Sequence, residues 1–167
     1  NSLLEVNASQ NDKDFIMAVN WKKAEEYIKA GKGKMEKARY AHNTWDDETH
    51  TGKSVIKEEV LVLDAEAMKD VIYLMPCPKS PHGVDVDPTG EYIVGSGKLA
   101  ALIPVFSFDK MVKAIGKKDY EGDYEGIPVL KYNSVLHGEV QKPGLGPLHT
   151  EFDGRGNAYT TFFVSSE

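Results

Sequence analysis

"PHGVDVDPTGEYIVGSGK" spans residues 81–98, and its reading decides the fold. Two short runs, 82–87 and 92–97, flank Pro88 and Gly90, where Pro pre-sets φ and Gly accepts a tight turn. This is the pattern of a β-hairpin. The stretch "GLGPLHTEFDGRGNAYTTFF", residues 144–163, repeats it with "DGRGN" as the turn. His82 precedes Tyr92 by ten positions, as His149 precedes Tyr159. The two histidines stand 67 positions apart, longer than the roughly 40–50 residues of familiar propeller repeats, and inserted helices and loops would stretch the period. A partial β-propeller is the leading reading, and an antiparallel sandwich with coincidental hairpins is the alternative.

Outward from these hairpins the chain is mostly strand. "DFIMAVN" and "VIYLMP" read as buried strands, the second ending at Pro76, and "VIKEEVLVLD" and "AALIPVFSFD" add two more. "NWKKAEEYIKAG" reads as a short surface helix capped by Asn20, with Trp21, Ala24 and Ile28 on one face and Gly31 as its stop. "DKMVKAIG" reads as a second helix, with Asp109 as cap and Gly116 as stop. Residues 32–54 are polar and without periodicity, which predicts a long surface excursion with His42 and His50 solvated. "KKDYEGDYEGIPVLKYNSV" reads as an acidic, aromatic loop leading into a strand.

Composition narrows the function. The 167 residues include 26 acidic and 20 basic side chains, a net charge of −6, so nucleic acid has no electrostatic footprint here. No apolar run approaches the roughly 20 residues that cross a bilayer. Cys77 is the single cysteine, which excludes an internal disulfide framework, a Cys-rich zinc site and a paired-thiolate copper site within this stretch. The chain opens on Asn1, and "TTFFVSSE" looks like a strand cut before its closing turn, so a fragment of something longer is expected.

The chemistry rests on the histidines. In a propeller the innermost strand of each blade lies near the axis, so a His at one place in successive blades would direct several imidazoles into a shared mouth. Imidazole nitrogen suits copper and zinc. The plain alternative is that His82 and His149 are turn residues capping backbone groups, and the residues alone leave the two readings balanced. His137 in "VLHGEV" occupies no matched hairpin position and reads as structural. Asp85 and Asp87 in "DVDPTG" read as turn chemistry, their carboxylates satisfying loop amides, rather than as a calcium loop. "GSGK" at 95–98 and "GLG" at 144–146 lack phosphate-loop spacing, and a triad of Ser80, His82 and Asp85 lacks a nucleophile elbow.

The segments "CPKSPHGVDVDPTGEYIVGSGKL" and "GLGPLHTEFDGRGNAYTTFF" closely resemble two signature segments of the nitrous-oxide reductase family, and "FIMAVNWKKAEEYIKAG" resembles the strand and helix before them. The similarity leaves out roughly residues 32–58, which look like an insertion. The resemblance implies an all-β fold: about two to three blades of a seven-bladed propeller with short inserted surface helices. All of 1–167 would belong to that propeller domain, without the C-terminal cupredoxin domain and its dinuclear copper site. It implies copper-dependent reduction of nitrous oxide to dinitrogen and water, the last step of denitrification, at a tetranuclear copper–sulfide cluster held by seven histidines. His82 and His149 would be two of these, and the other five would lie outside the chain. The resemblance further implies a periplasmic homodimer fed by an electron-donor protein such as a cytochrome c or a cupredoxin. Ser80 stands where many family members have Asn, whose oxygen helps bind a structural calcium with an acidic residue matching Asp14. The rivals are a metal-free propeller used as a binding scaffold, and a mononuclear metal-dependent hydrolase using His82, His137 and His149.

Overall fold

The computed structural model describes residues 14–37, 40–46, 51–57, 59–64, 68 and 70–165. The chain divides into two units, one built from 1–19 with 72–167 and the other from 20–71. Strand β1 (Asp14–Val19) opens the first. The second unit then holds helix α1 (Trp21–Lys29) and strands β2 (Lys34–Glu36), β3 (Tyr40–Asp46), β4 (Thr51–Lys57) and β5 (Val60–Val62). Asn20 caps α1 as expected, its side-chain oxygen accepting from the Lys23 amide at 3.1 Å. No residue of α1 is buried, and Trp21 and Ile28 are exposed.

The predicted excursion at 32–54 is largely strand. β3 and β4 pair antiparallel without a break from Tyr40↔Lys57 to Asp46↔Thr51, and β2 pairs with β5. Aromatic and β-branched residues such as Tyr40, Thr44, Val55 and Ile56 favour extended backbone, although the many charges between them hide the alternation. The side chain of His42 and all of His50 lie outside the described residues.

The first unit resumes with β6 (Ile72–Cys77), β7 (Pro81–Val86), β8 (Tyr92–Gly97) and β9 (Leu102–Ser107). There follow α2 (Phe108–Lys117), β10 (Tyr120–Tyr124), β11 (Ile127–Leu130), α3 (Tyr132–Val135), β12 (Leu136–Gln141), β13 (Pro147–Phe152) and β14 (Ala158–Phe162). Two four-stranded sheets result, in the orders β1-β6-β11-β10 and β12-β9-β8-β7, with the β13–β14 hairpin beside them. This unit is consistent with the all-β, partial-propeller architecture expected: two four-stranded sheets and a separate hairpin. Between the two large sheets lies a core of Ile16, Tyr73, Met75, Cys77, Ile93, Phe106, Met111, Ala114, Leu130 and Val135. Burial on this scale supplies the main drive to fold.

Three local expectations are corrected. The loop at 117–135 contains the β10–β11 hairpin, and β11 lies parallel to β6 through Val129↔Leu74, so a hairpin inserted in sequence between β9 and β12 of the second sheet completes the first. Helix α2 is capped by Ser107, whose hydroxyl accepts from the Lys110 amide at 3.1 Å, while Asp109 sits in the first turn where the helix dipole favours a carboxylate. Gly116 lies inside α2, and the left-handed cap is Lys118 with φ 54°. Burial of Met111 and Ala114 sets the helix phase, and that phase carries the helix past the glycine.

Candidate metal centre

Both histidines of the sequence pattern sit at β-bulges on the first strand of their hairpins. β7 pairs Pro81 with Gly97 and Gly83 with Ser96, which leaves His82 as the extra residue. β13 pairs Pro147 with Phe162 and Thr150 with Thr160, so the segment carrying Leu148 and His149 also holds one residue too many. A bulge lifts a residue out of the ladder and re-aims its side chain. Here the two rings meet edge-on, with centroids 5.2 Å apart and planes at 72°. Both side chains are exposed.

Glycine explains why β7 and β13 can lie this close. A Cβ on Gly83 would stand 2.0 Å from the Leu148 carbonyl oxygen and 2.8 Å from His149 Nδ1, so the residue after His82 has no room for a side chain. Two residues on, Asp85 reaches across to the same strand. Its Oδ2 accepts from the Thr150 amide at 2.7 Å, and its Oδ1 faces His149 Nδ1 at 3.4 Å. Thr150 is buried, and its hydroxyl pairs with that of Thr160 at 2.8 Å.

Asp87 behaves as turn chemistry should. It takes the Thr89 hydroxyl at 2.7 Å and the Tyr92 amide at 2.8 Å, and these bonds hold its carboxyl below the usual range. Asp153 does the same in the second hairpin. The Asn157 side chain, then the Asn157 and Arg155 amides, draw it down to about 2. Asp85 departs from the expected turn role, because its backbone partner belongs to the other hairpin, 65 residues away.

The remaining candidates fall elsewhere. His137 lies on β12, at the opposite edge of the sheet from β7, with β9 and β8 between them, a separation of about 14 Å at the usual strand spacing. Its ring packs edge-on against Tyr92, with centroids 4.7 Å apart. A single-metal site shared by His82, His137 and His149 therefore conflicts with the sheet order. Asp14, the calcium candidate, lies beside Ser80, its Oδ2 accepting from the Ser80 amide at 2.5 Å. Cys77 is 3% exposed, and burial, aided by the charge of Asp14, pushes its thiol up to about 12, so it stays protonated. Gly95 and Gly97 serve packing: a Cβ would meet Ile16 and Cys77 at the first and the Pro78 carbonyl at 2.1 Å at the second.

Chemically, the site offers two imidazole nitrogen donors, accessible and side by side, of the type that copper favours. Among the described residues no three His, Cys, Asp or Glu side chains group to hold an ion by themselves. The pair fits a copper centre as two members of a larger set. Among the described residues no helix is long and apolar enough to cross a membrane.

No protein-family model matches the chain. A nitrous-oxide reductase of Pseudomonas fluorescens is 32% identical over 158 residues, which cover 95% of this chain and 21% of that protein. One from Stutzerimonas stutzeri is 39% identical over 93 residues, 56% of this chain and 13% of its own. One from Cupriavidus necator is 41% identical over 90 residues, 54% of this chain and 12% of its own. The chain spans about a fifth of the length of the first of these relatives. It is thus related to the nitrous-oxide reductases, and belongs with that family over the part of its length that they share.

Proposed function

We propose that this chain contributes His82 and His149 to a copper centre that reduces nitrous oxide to dinitrogen and water, as one part of a longer oxidoreductase. The observation that carries the reading is that each histidine sits at a bulge in the first strand of its hairpin, which turns a repeated sequence position into two adjacent imidazoles 5.2 Å apart. Structural capping would not require equivalence between the two hairpins, whereas a shared metal does. The relatives' names supply the substrate.

In this reading His82 and His149 each give a neutral ring nitrogen, and the bulged strands hold both rings at fixed spacing on rigid sheets. Neither needs to move a proton. A tetranuclear copper–sulfide cluster, when bound, would supply the soft, electron-rich coordination that an inert gas molecule needs in order to accept two electrons. The rest of the proposal concerns the longer protein: five further histidines in a seven-bladed propeller, a cupredoxin domain with a dinuclear copper site, a periplasmic homodimer, and a cytochrome c or cupredoxin as donor. A calcium ion at Asp14 and Ser80 also belongs to it, although serine is a shorter ligand than asparagine.

The test is copper content. In the full-length protein that carries this segment, His82→Ala and His149→Ala each lose copper and nitrous-oxide reduction, while His137→Ala keeps both. Retention of copper by the first two variants would overturn the proposal in favour of a metal-free scaffold, and loss on His137→Ala would favour a hydrolase-like site.

A further inference from the structure

We propose that Asp85 is the positioning residue for His149, fixing which nitrogen of that ring is presented to the metal. The proposal rests on the reading of His149 as a copper ligand. β7 and β13 belong to different sheets, so the registry between their ends depends on what bridges them. Asp85 bridges them with both oxygens: Oδ2 is anchored by the Thr150 amide at 2.7 Å, which fixes where Oδ1 sits, 3.4 Å from His149 Nδ1. A small rotation of the ring closes that gap into a hydrogen bond. The carboxylate is 22% exposed against 56% for the His149 side chain, so it addresses the ring from the more sheltered side. Gly83 allows the approach, since a Cβ there would reach to 2.8 Å from the same Nδ1.

A carboxylate only accepts, so it selects the imidazole tautomer with its proton on Nδ1 and leaves the Nε2 lone pair for a metal. Metal-binding histidines are commonly set in this way, and removing the acceptor typically weakens metal binding about 10–100-fold. The bland alternative is that Asp85 merely staples two hairpins through the Thr150 amide. Asparagine separates the two roles. Its single oxygen can keep the Thr150 bond, but its NH2 then faces Nδ1 and favours the opposite tautomer, whereas Ala removes both bonds.

The experiment compares the wild type, Asp85→Asn, Asp85→Ala and His149→Ala in the full-length protein. It reads copper stoichiometry, the chelator concentration that removes half the copper, the visible absorption of the copper centre and the melting temperature. For Asp85→Asn the expected result is a half-loss concentration lower by about tenfold or more, with an altered absorption spectrum and a melting temperature close to wild type. Wild-type retention and spectrum in Asp85→Asn overturn the positioning role, as does an Asp85→Asn melting temperature as low as that of Asp85→Ala. If His149→Ala loses copper while Asp85→Asn does not, positioning fails alone. If His149→Ala keeps its copper, the ligand reading fails and positioning with it.

Discussion

At the scale of single residues, space decides more than charge. Gly83 has an ordinary backbone φ and is needed because the Leu148 carbonyl occupies the place of its Cβ. Gly83→Ala must push β13 away from β7, an overpacking that costs about 1–3 kcal/mol and moves His149 with the strand. Thermal melting of the full-length protein should show the loss, and copper content should fall with it. Gly138→Ala is the control, because nothing lies within 4 Å of its Cβ position, and it should change stability by less than about 0.5 kcal/mol. Equal melting of the two variants would remove the steric argument. The His pair was legible in the chain because its signal is local: one histidine, a tight turn and a tyrosine ten residues on. Asp85 was not, because its partners His149 and Thr150 lie 64 and 65 residues away and adjoin it only after both strands are in place.

At the scale of elements, turns carry the strongest predictions. β10 and β11 are joined through Glu125 and Gly126, with φ of 51° and 79° between the paired Tyr124 and Ile127. Positive φ at both central positions defines a type I′ turn, where Asn-Gly is preferred and a glutamate is strained. Glu125→Asn should therefore raise stability by about 0.5–1 kcal/mol, read from urea melts, and a loss instead would contradict the turn assignment. The second hairpin predicts a pH dependence. Asp153 is held at about 2 when folded, against an unperturbed 3.8, so its contribution is present above about pH 4 and fades as pH falls toward 2. Asp153→Asn should flatten the acid limb of the melting curve over that window, and an unchanged limb would remove Asp153 as its cause. Element type was readable where apolar runs or caps were strong, as at β6 and at Asn20. It was misread where charges interrupt β-branched residues, as in β3 and β4, and where tertiary burial of Met111 carried α2 past Gly116.

At the scale of the whole molecule, the sheets are more complete on some sides than on others. The alternation of strands was open to sequence reading. The expectation of seven blades and of a shared copper centre rests on family resemblance, because ligands proposed to lie outside the chain would leave no trace in its spacing. Among the described residues β1 pairs only with β6 and β14 only with β13. Met17 and Val19 on β1 are 57% and 52% exposed, and Tyr159, Phe163 and Val164 are 61%, 61% and 55% exposed. A two-stranded hairpin is marginal in water, and unpaired edges beside exposed apolar side chains recruit other chains. The 167-residue chain, expressed alone, is therefore expected to associate, with a light-scattering mass that rises with protein concentration, while the full-length polypeptide keeps one mass over the same range. Met17→Lys with Phe163→Lys should reduce the association by placing charge on both apolar surfaces, without touching the core around Phe106 and Leu130. A monodisperse, cooperatively melting chain of 167 residues would mean that these strands need no neighbours, and the reading of them as blades of a larger ring would fall.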